Sequence, residues 1–363
     1  VLVFMESMSA NLMGTFGSDK KLTPYLDSLY QQSLSFSHFY SSGIHTNHGI
    51  YSTLYSFPAI MKRNAMKGSV IPVYSGLPTV LQENGYCNLF FMTHESQYDN
   101  MNAFLRTNGF DEIYAQENYP SEKVVNSFGV QDDFMYQYAL PILNERAGTG
   151  NPFFSVLLSI SNHPPYVIPP YFHPHSDVLE EQIVEYADWS IRQFMQAAEK
   201  QPWFDNTIFV FLGDHGKMVG TPECEMPQSY NHIPLMIYGK DIKPGVYDGF
   251  GGQVDVSPTL LGLLNISYLQ NNFGVNLLEE ERPCMFFTAD NLIGARDSVN
   301  MFIYSPDSQQ EFRYKLEEGK LRAATGTDEE AFRNLKDYCF SMLQSTESLV
   351  KEHKTLDKVS VKK

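Results

Sequence analysis

The chain has 363 residues, and its 42 Asp and Glu against 26 Lys and Arg give a formal net charge of −16 at pH 7. That balance excludes non-specific binding to nucleic acid, which needs clustered basic side chains. A hydrophobic share of 43% and an aromatic share of 14% exclude a disordered chain and predict a large buried core.

VLVFM (1–5) reads as a buried strand, and TPYLDSLYQQS (23–33) as a helix with Thr23 as cap and Pro24 at its first position. SSGIHTNHGIYSTLYSFP (41–58) sets Thr46 between His45 and His48, ahead of a small helical stretch. GLPTVLQENGY (76–86) predicts a short helix stopped by Gly85, followed by the strand CNLFFM (87–92). FFSVLLSI (153–160) is a further strand, and between Val178 and Lys200 the residues Ile183, Ala187, Ile191, Phe194, Met195 and Ala198 recur at helical spacing. TIFVFL (207–212) and IPLMIY (233–238) are strands, and VSPTLLGLLN (256–265) is a helix opening at a Ser-Pro turn. Near-continuous apolar strands alternating with helices predict an α/β fold with a parallel sheet covered on both faces. Ligands bind such sheets beyond the carboxyl ends of the strands.

After Pro283 the texture changes. FFTAD, MFIYSP and EFRYKLEEGKLRAAT read as short antiparallel strands, the last with a hairpin at Glu318 and Gly319. DEEAFRNLKDYCFSMLQSTESLVKEH then places Phe332, Leu335, Cys339, Met342, Leu343, Leu349 and Val350 on one helical face. The tail KTLDKVSVKK is polar and reads as loose. The predicted organisation is therefore an α/β domain over 1–285 and a small α+β subdomain over 286–363. Cysteines at 87, 224, 284 and 339 lack any CxxC spacing and fit neither a disulfide framework nor a thiolate zinc site. No apolar run reaches the length of a membrane span. The abrupt apolar opening at Val1 predicts an upstream targeting or membrane part.

Chemistry collects just past the strands. Glu6 follows the first, Thr93 and His94 follow CNLFFM, Ser161-Asn162-His163 follow FFSVLLSI, and Gly213-Asp214-His215-Gly216 follow TIFVFL. In a parallel sheet all four groups share one edge. Asp214 and His215 pair a carboxylate with an imidazole, which suits Zn²⁺ or Mn²⁺, and the flanking glycines are expected to permit the turn that aims both at one ion. Glu6 would be a third ligand, since a charge at the end of a central strand needs a partner. A threonine hydroxyl is a weak nucleophile until a base or metal takes its proton. Thr46, at a helix start where free N–H groups and positive dipole collect, would be the fourth ligand and the nucleophile.

VFMES around Glu6, SSGIHTNHGIYS around Thr46, SISNHPPY around His163 and VFLGDHG around Asp214 and His215 together resemble the alkaline phosphatase/sulfatase superfamily. Within it they are most similar to the lipoteichoic acid synthase (phosphoglycerol transferase) branch. HIPLMIYG and QVDVSPTLLGLL add later landmarks, so the resemblance spans roughly 1–285 in the family's order. It implies an alkaline-phosphatase-like wound, mostly parallel sheet with helices on both faces and a small C-terminal α+β subdomain. It further implies one divalent ion, Mn²⁺ before Zn²⁺, Mg²⁺ or Ca²⁺, on Glu6, Thr46, Asp214 and His215. Thr46 would take the headgroup phosphate of a phospholipid, releasing diacylglycerol, with His163 binding phosphate or moving a proton. A glycan or lipid hydroxyl would accept the group, in modification of a cell-envelope polymer. The family's catalytic domain lies outside the cytoplasmic membrane, behind transmembrane helices.

Substrate contacts are expected from His94, Asp99 and Asn100. Here the sequence departs from the branch: an aromatic-Trp-Asn-Arg segment reads Tyr98-Asp99-Asn100-Met101, without the stacking ring and the guanidinium clamp. His45, His48 and His232 have no counterpart and are expected as polar lining rather than as a second metal site. Two rivals share the chemistry: a phosphoethanolamine transferase, and a sulfatase proper. The latter needs a [CS]xPxR motif, and Ser56-Phe57-Pro58 lacks the arginine, with Ile60 in its place. A non-catalytic sensor of glycan or lipid headgroups is the reading from another class, and a complete ligand set argues against it.

Overall fold

The computed structural model describes residues 1–68, 70–317, 320–325 and 329–356. Within them the strands are β1 (Leu2–Met5), β2 (Leu34–Tyr40), β3 (Cys87–Met92), β4 (Glu112–Tyr114), β5 (Val124–Asn126), β6 (Gly129–Val130), β7 (Phe153–Leu158), β8 (Phe209–Gly213), β9 (Leu235–Tyr238) and β10 (Gly245–Gly252), followed by β11 (Met285–Thr288), β12 (Ile293–Arg296), β13 (Asn300–Ser305), β14 (Gln310–Glu317) and β15 (Lys320–Ala323). The helices are α1 (Pro24–Gln32), α2 (Thr46–Tyr55), α3 (Leu77–Glu83), α4 (Met101–Thr107), α5 (Asp132–Ala147), α6 (Leu179–Ala198), α7 (Gln228–Asn231), α8 (Val256–Leu263) and α9 (Glu329–Lys351).

An eight-stranded sheet runs in the order β10–β2–β9–β8–β1–β7–β3–β4. β1 is central, parallel to β7 and β8, and β7 is parallel to β3, so their carboxyl ends meet at one edge. Alternation along these strands feeds two cores. Leu2, Phe4, Phe90, Val156 and Leu212 pack beneath α2, α3, α4 and α8. Val3, Met5, Phe91, Leu157 and Phe211 pack against α1, α5 and α6. Each such side chain, once buried, contributes about 1.5–3 kcal/mol.

IPLMIY departs from the parallel expectation: β9 is antiparallel to both β8 and β2. A parallel strand requires a crossover back to the starting edge. The chain from Gly213 through α7 instead stays at the carboxyl edge, so β9 starts where β8 stopped.

The second sheet is antiparallel, β11–β12–β13–β14–β15. α9 covers one face through Phe332, Leu335 and Cys339, and Val350 near its end joins the main core. The other face packs Phe287, Met301 and Ile303 against Met226 of the loop after β8. The pairing of β14 with β15 runs to Glu317 and Lys320; the hairpin expected at Glu318 and Gly319, and most of the tail, lie outside the described residues.

Candidate active site

Glu6, Asp214 and His215 bring one ligand atom each within 4.8 Å of one another, and Thr46 Oγ1 lies 3.4 Å from Glu6 Oε2. Glu6 and Asp214 are buried at 1% and 0% exposure. Their backbone explains how carboxylates reach that depth. Ser7, in the left-handed region at φ 50°, turns its N–H onto Asp214 Oδ1 at 2.9 Å, and the His215 N–H donates to the same oxygen at 2.7 Å. Among the described residues Asp214 Oδ2 is buried without a hydrogen-bond partner. A bare buried carboxylate oxygen is costly, and a cation between it, Glu6 and His215 removes that cost. His215 Nδ1 donates to the Gly216 carbonyl at 2.8 Å, so its Nε2 lone pair faces Glu6 at 3.7 Å and Asp214 at 3.5 Å. Burial and the Asp214 charge push the Glu6 carboxyl well above its ordinary range. The donor set therefore fits a divalent cation.

The flanking glycines act by closeness rather than by turning. Neither Gly213 nor Gly216 has positive φ, but a Cβ on Gly213 would meet Met8 O at 2.6 Å and one on Gly216 would meet Ser229 O at 2.0 Å. Gly49 does the same for the helix that bears Thr46: a Cβ there would lie 2.1 Å from Asp214 O, so its absence lets α2 seat against the Asp214 loop. Thr46 is the first residue of α2, a ten-residue helix with His45 at its N-cap. Its first-turn N–H groups suit an anion.

Outside the ligands is a cavity of about 270 Å³ lined by Thr46, Asn47, His94, Tyr98, Asp99, Phe128, His163, His215 and Lys217, among others. His94 is buried, which holds its imidazole below the ordinary range and neutral, with Nδ1 on the Glu95 carbonyl at 3.0 Å. The His163 ring sits 4.2 Å from that of Phe128, with Nδ1 on the Pro164 carbonyl at 2.6 Å. Asp99 lines the cavity, but its oxygens are engaged by Lys67 at 2.6 Å and the Asn47 amide at 3.0 Å.

Asn100 departs from its expected role. It does not line the cavity, and its amide donates to the Met66 carbonyl at 2.8 Å. Met101 is fully buried in the core, so nothing replaces a guanidinium at that position. His232 is no lining residue either: it is sandwiched between Phe16 and Tyr40 with Nε2 on the Ser37 carbonyl at 2.9 Å. His48 is buried behind His45, its imidazole pushed down to about 3 by burial. His45 lines the cavity and meets Asp290, from the turn between β11 and β12, at 2.6 Å. Among the described residues, Glu6, Asp214 and His215 are the one group of three or more such side chains within ligation range.

Lys217 lines the same cavity and Asn162 supports it; in the sequence Lys217 carries no signal of its own and Asn162 stands out only by following FFSVLLSI. Lys217 Nζ donates to Asn162 Oδ1 at 2.5 Å, and the Asn162 amide donates to the Glu6 and Ser7 carbonyls at 3.0 and 3.3 Å. Burial pushes the Lys217 ammonium down to about 8. The signal available was position alone: both follow strand ends already rich in chemistry.

A wound sheet with a buried carboxylate–imidazole group beneath a helix-borne threonine defines an enzyme of the alkaline phosphatase superfamily. The chain belongs to the sulfatase family, whose model matches residues 1–266. Among curated relatives it is 25% identical over 316 residues to the lipoteichoic acid synthase-like YvgJ of Bacillus subtilis, covering 78% of this chain and 50% of that protein. It is 23% identical over 353 residues to the lipoteichoic acid synthase of Staphylococcus aureus, covering 84% and 51%. This chain thus spans about half the length of those relatives. Among solved structures, an alkaline phosphatase superfamily protein from Vibrio parahaemolyticus superposes with TM-score 0.88 at 26% identity, covering 98% of this chain and 88% of that one. The lipoteichoic acid synthase LtaP from Listeria monocytogenes superposes with TM-score 0.83 at 22% identity, covering 96% and 91%. No helix among the described residues is long and apolar enough to cross a membrane.

Proposed function

We propose that this protein transfers or hydrolyses the phosphodiester headgroup of a phospholipid, such as glycerol phosphate, through a covalent phosphothreonine at Thr46. The observation that carries the reading is the approach of Thr46 Oγ1 to Glu6 at the head of α2, beside Asp214 and His215. Glu6, Thr46, Asp214 and His215 would hold one divalent ion, Mn²⁺ first given the mixed carboxylate, hydroxyl and imidazole donors. Such an ion, when bound, lowers the proton affinity of a hydroxyl and polarises phosphoryl oxygens.

The chain's own groups do the rest. First-turn N–H groups of α2 receive phosphoryl oxygens. The Thr46 Oγ–P bond forms as its hydroxyl proton is lost to water and the P–O bond to diacylglycerol breaks, and His163, at the cavity wall, passes a proton to the departing alkoxide and is reprotonated from water. His94 and Asp99 bound the headgroup. A glycan or lipid hydroxyl then takes the group from Thr46; water in its place gives hydrolysis. Residues 1–285 supply this machinery, and the subdomain from 286 contributes Asp290 to the rim. A lipid donor and an envelope acceptor place the reaction at the outer face of the bacterial cytoplasmic membrane.

Phosphoethanolamine is the second reading for the donor headgroup, favoured by the burial of Met101 where a phosphoglycerol clamp would stand. Formylglycine chemistry is disfavoured. Ser56 is buried at the far end of α2, about 15 Å along the helix from Thr46 at 1.5 Å per residue. No cysteine lines the cavity.

The test is intact-mass analysis after incubation with Mn²⁺ and either phosphatidylglycerol or phosphatidylethanolamine. A headgroup-sized increment mapped to Thr46, absent in T46A, is the expected result and names the donor. No increment with any phospholipid would redirect the site to a soluble phosphate or sulfate ester.

A further inference from the structure

We propose that Lys217 is the cationic anchor for the anionic non-bridging oxygen of the substrate, a role that rests on reading the cavity as a phosphoester site. Among the described residues lining the cavity, Lys217 is the one lysine or arginine. Its side chain is partly buried, and among the described residues it forms no ion pair. Its ammonium has one hydrogen-bond acceptor, the neutral Asn162 Oδ1, and lies 5.5 Å from the centre of the Tyr166 ring. Two N–H donors and a full charge therefore remain for a ligand. Lys67, by contrast, spends its charge on Asp99 at 2.6 Å.

The position is also built. Lys217 N–H donates to Ser9 Oγ at 2.8 Å and Ser9 Oγ donates back to the Lys217 carbonyl at 3.0 Å, which locks the main chain. Asn162 holds the ammonium with one end and the Glu6 and Ser7 carbonyls with the other. The ammonium and the main chain that carries Glu6 are thus tied by one side chain. Among the described residues no carboxylate pairs directly with the Lys217 ammonium, Glu6 and Glu180 act on it from further off, and an incoming oxyanion supplies a direct counter-charge. With no arginine in the cavity, specificity tilts toward a ligand that needs one point-charge contact rather than a planar fork.

The experiment measures ligand binding without turnover. Mn²⁺-loaded wild type, K217M and K217R are titrated calorimetrically with inorganic phosphate and, separately, with glycerophosphoglycerol, a deacylated phosphodiester headgroup. Metal content and thermal unfolding are recorded for each protein. K217M is expected to bind about ten- to hundredfold more weakly, the range for a lost charge-assisted contact, with K217R intermediate and metal content unchanged. A loss confined to the headgroup marks a lipid-derived ligand, and a loss confined to phosphate marks the free anion; either supports the anchor. A folded, metal-loaded K217M with wild-type affinity for both probes overturns it, as does a wild type that binds neither. Because Thr46 need not react here, failure of the phosphothreonine reading shows separately, as a missing mass increment with binding intact.

Discussion

The two ends of the same strands make unlike cavities. Beyond the amino ends lies the larger, about 650 Å³, walled by Val1, Leu2, Leu81, Phe154, Trp203, Val210 and Leu260. Beyond the carboxyl ends lies the smaller, about 270 Å³, where Thr46, His94, His163, His215 and Lys217 face one another. β1 and β8 serve both: Leu2 and Val210 wall the first, while Glu6 and Asp214, four residues further along each strand's run, belong to the group that could hold a cation. Volume is therefore a poor guide to function in this molecule. What distinguishes the small cavity is convergence of charge that the protein alone leaves unbalanced, at the edge where parallel strands release their loops together.

T46A should cut that distinction most deeply. Loss of the nucleophile should abolish the covalent increment and lower turnover by about a thousandfold or more, in a protein that still folds. An adduct persisting at another residue would move the nucleophile. E6Q removes a ligand charge, and Mn²⁺ affinity measured by competition with a chelator should fall by at least about a hundredfold. G49A presses a methyl into the Asp214 carbonyl, so α2 must shift. Unfolding free energy should drop by about 1–3 kcal/mol, with turnover falling alongside.

A smaller effect concerns Asp132, which accepts from the Ile160 and Ser161 N–H groups at 2.8 and 3.0 Å and so fixes the start of the loop bearing His163. Burial raises its carboxyl from the ordinary 3.8 to about 6. A raised acid contributes fully below its unfolded value and loses that contribution as pH climbs through the folded one. Wild type should therefore lose stability between about pH 4 and pH 6, and D132N should flatten that slope in pH-resolved denaturation. At the other end of the sheet, L81A should cost about 2–5 kcal/mol in denaturant while turnover per folded molecule stays unchanged. A fall in turnover there would mean that the large cavity takes part in the reaction.

Some of the architecture was invisible to pattern. β2, LSFSHFY, carries a buried serine, Ser35, and an exposed histidine, His38, and β10, GVYDGFGG, is an edge strand whose glycines dilute any alternation. α5, spanning Asp132–Ala147, buries Asp132 and Asp133 in its first turn and contains Pro141, so no clean apolar stripe marks it in the sequence. Each is held by neighbours that sequence spacing does not reveal. The substrate wall shows the same limit. Asp99 is adjacent to Asn100 in sequence, yet Lys67 and Asn47 draw Asp99 to the cavity while the Met66 carbonyl takes Asn100.

By itself the sequence determined the strand runs of the central block, β1, β3, β7 and β8, their parallel direction and the chemistry at their ends. Strand alternation and the residue following a strand are set within a few positions of the chain. Only the tertiary structure decided which charges meet: that Asp214 keeps one bare oxygen, that Asn162 ties Lys217 to the Glu6 turn, and that Asp290 reaches His45. Whether a buried charge is balanced depends on groups brought from distant segments, and that balance exists only once the sheet is assembled.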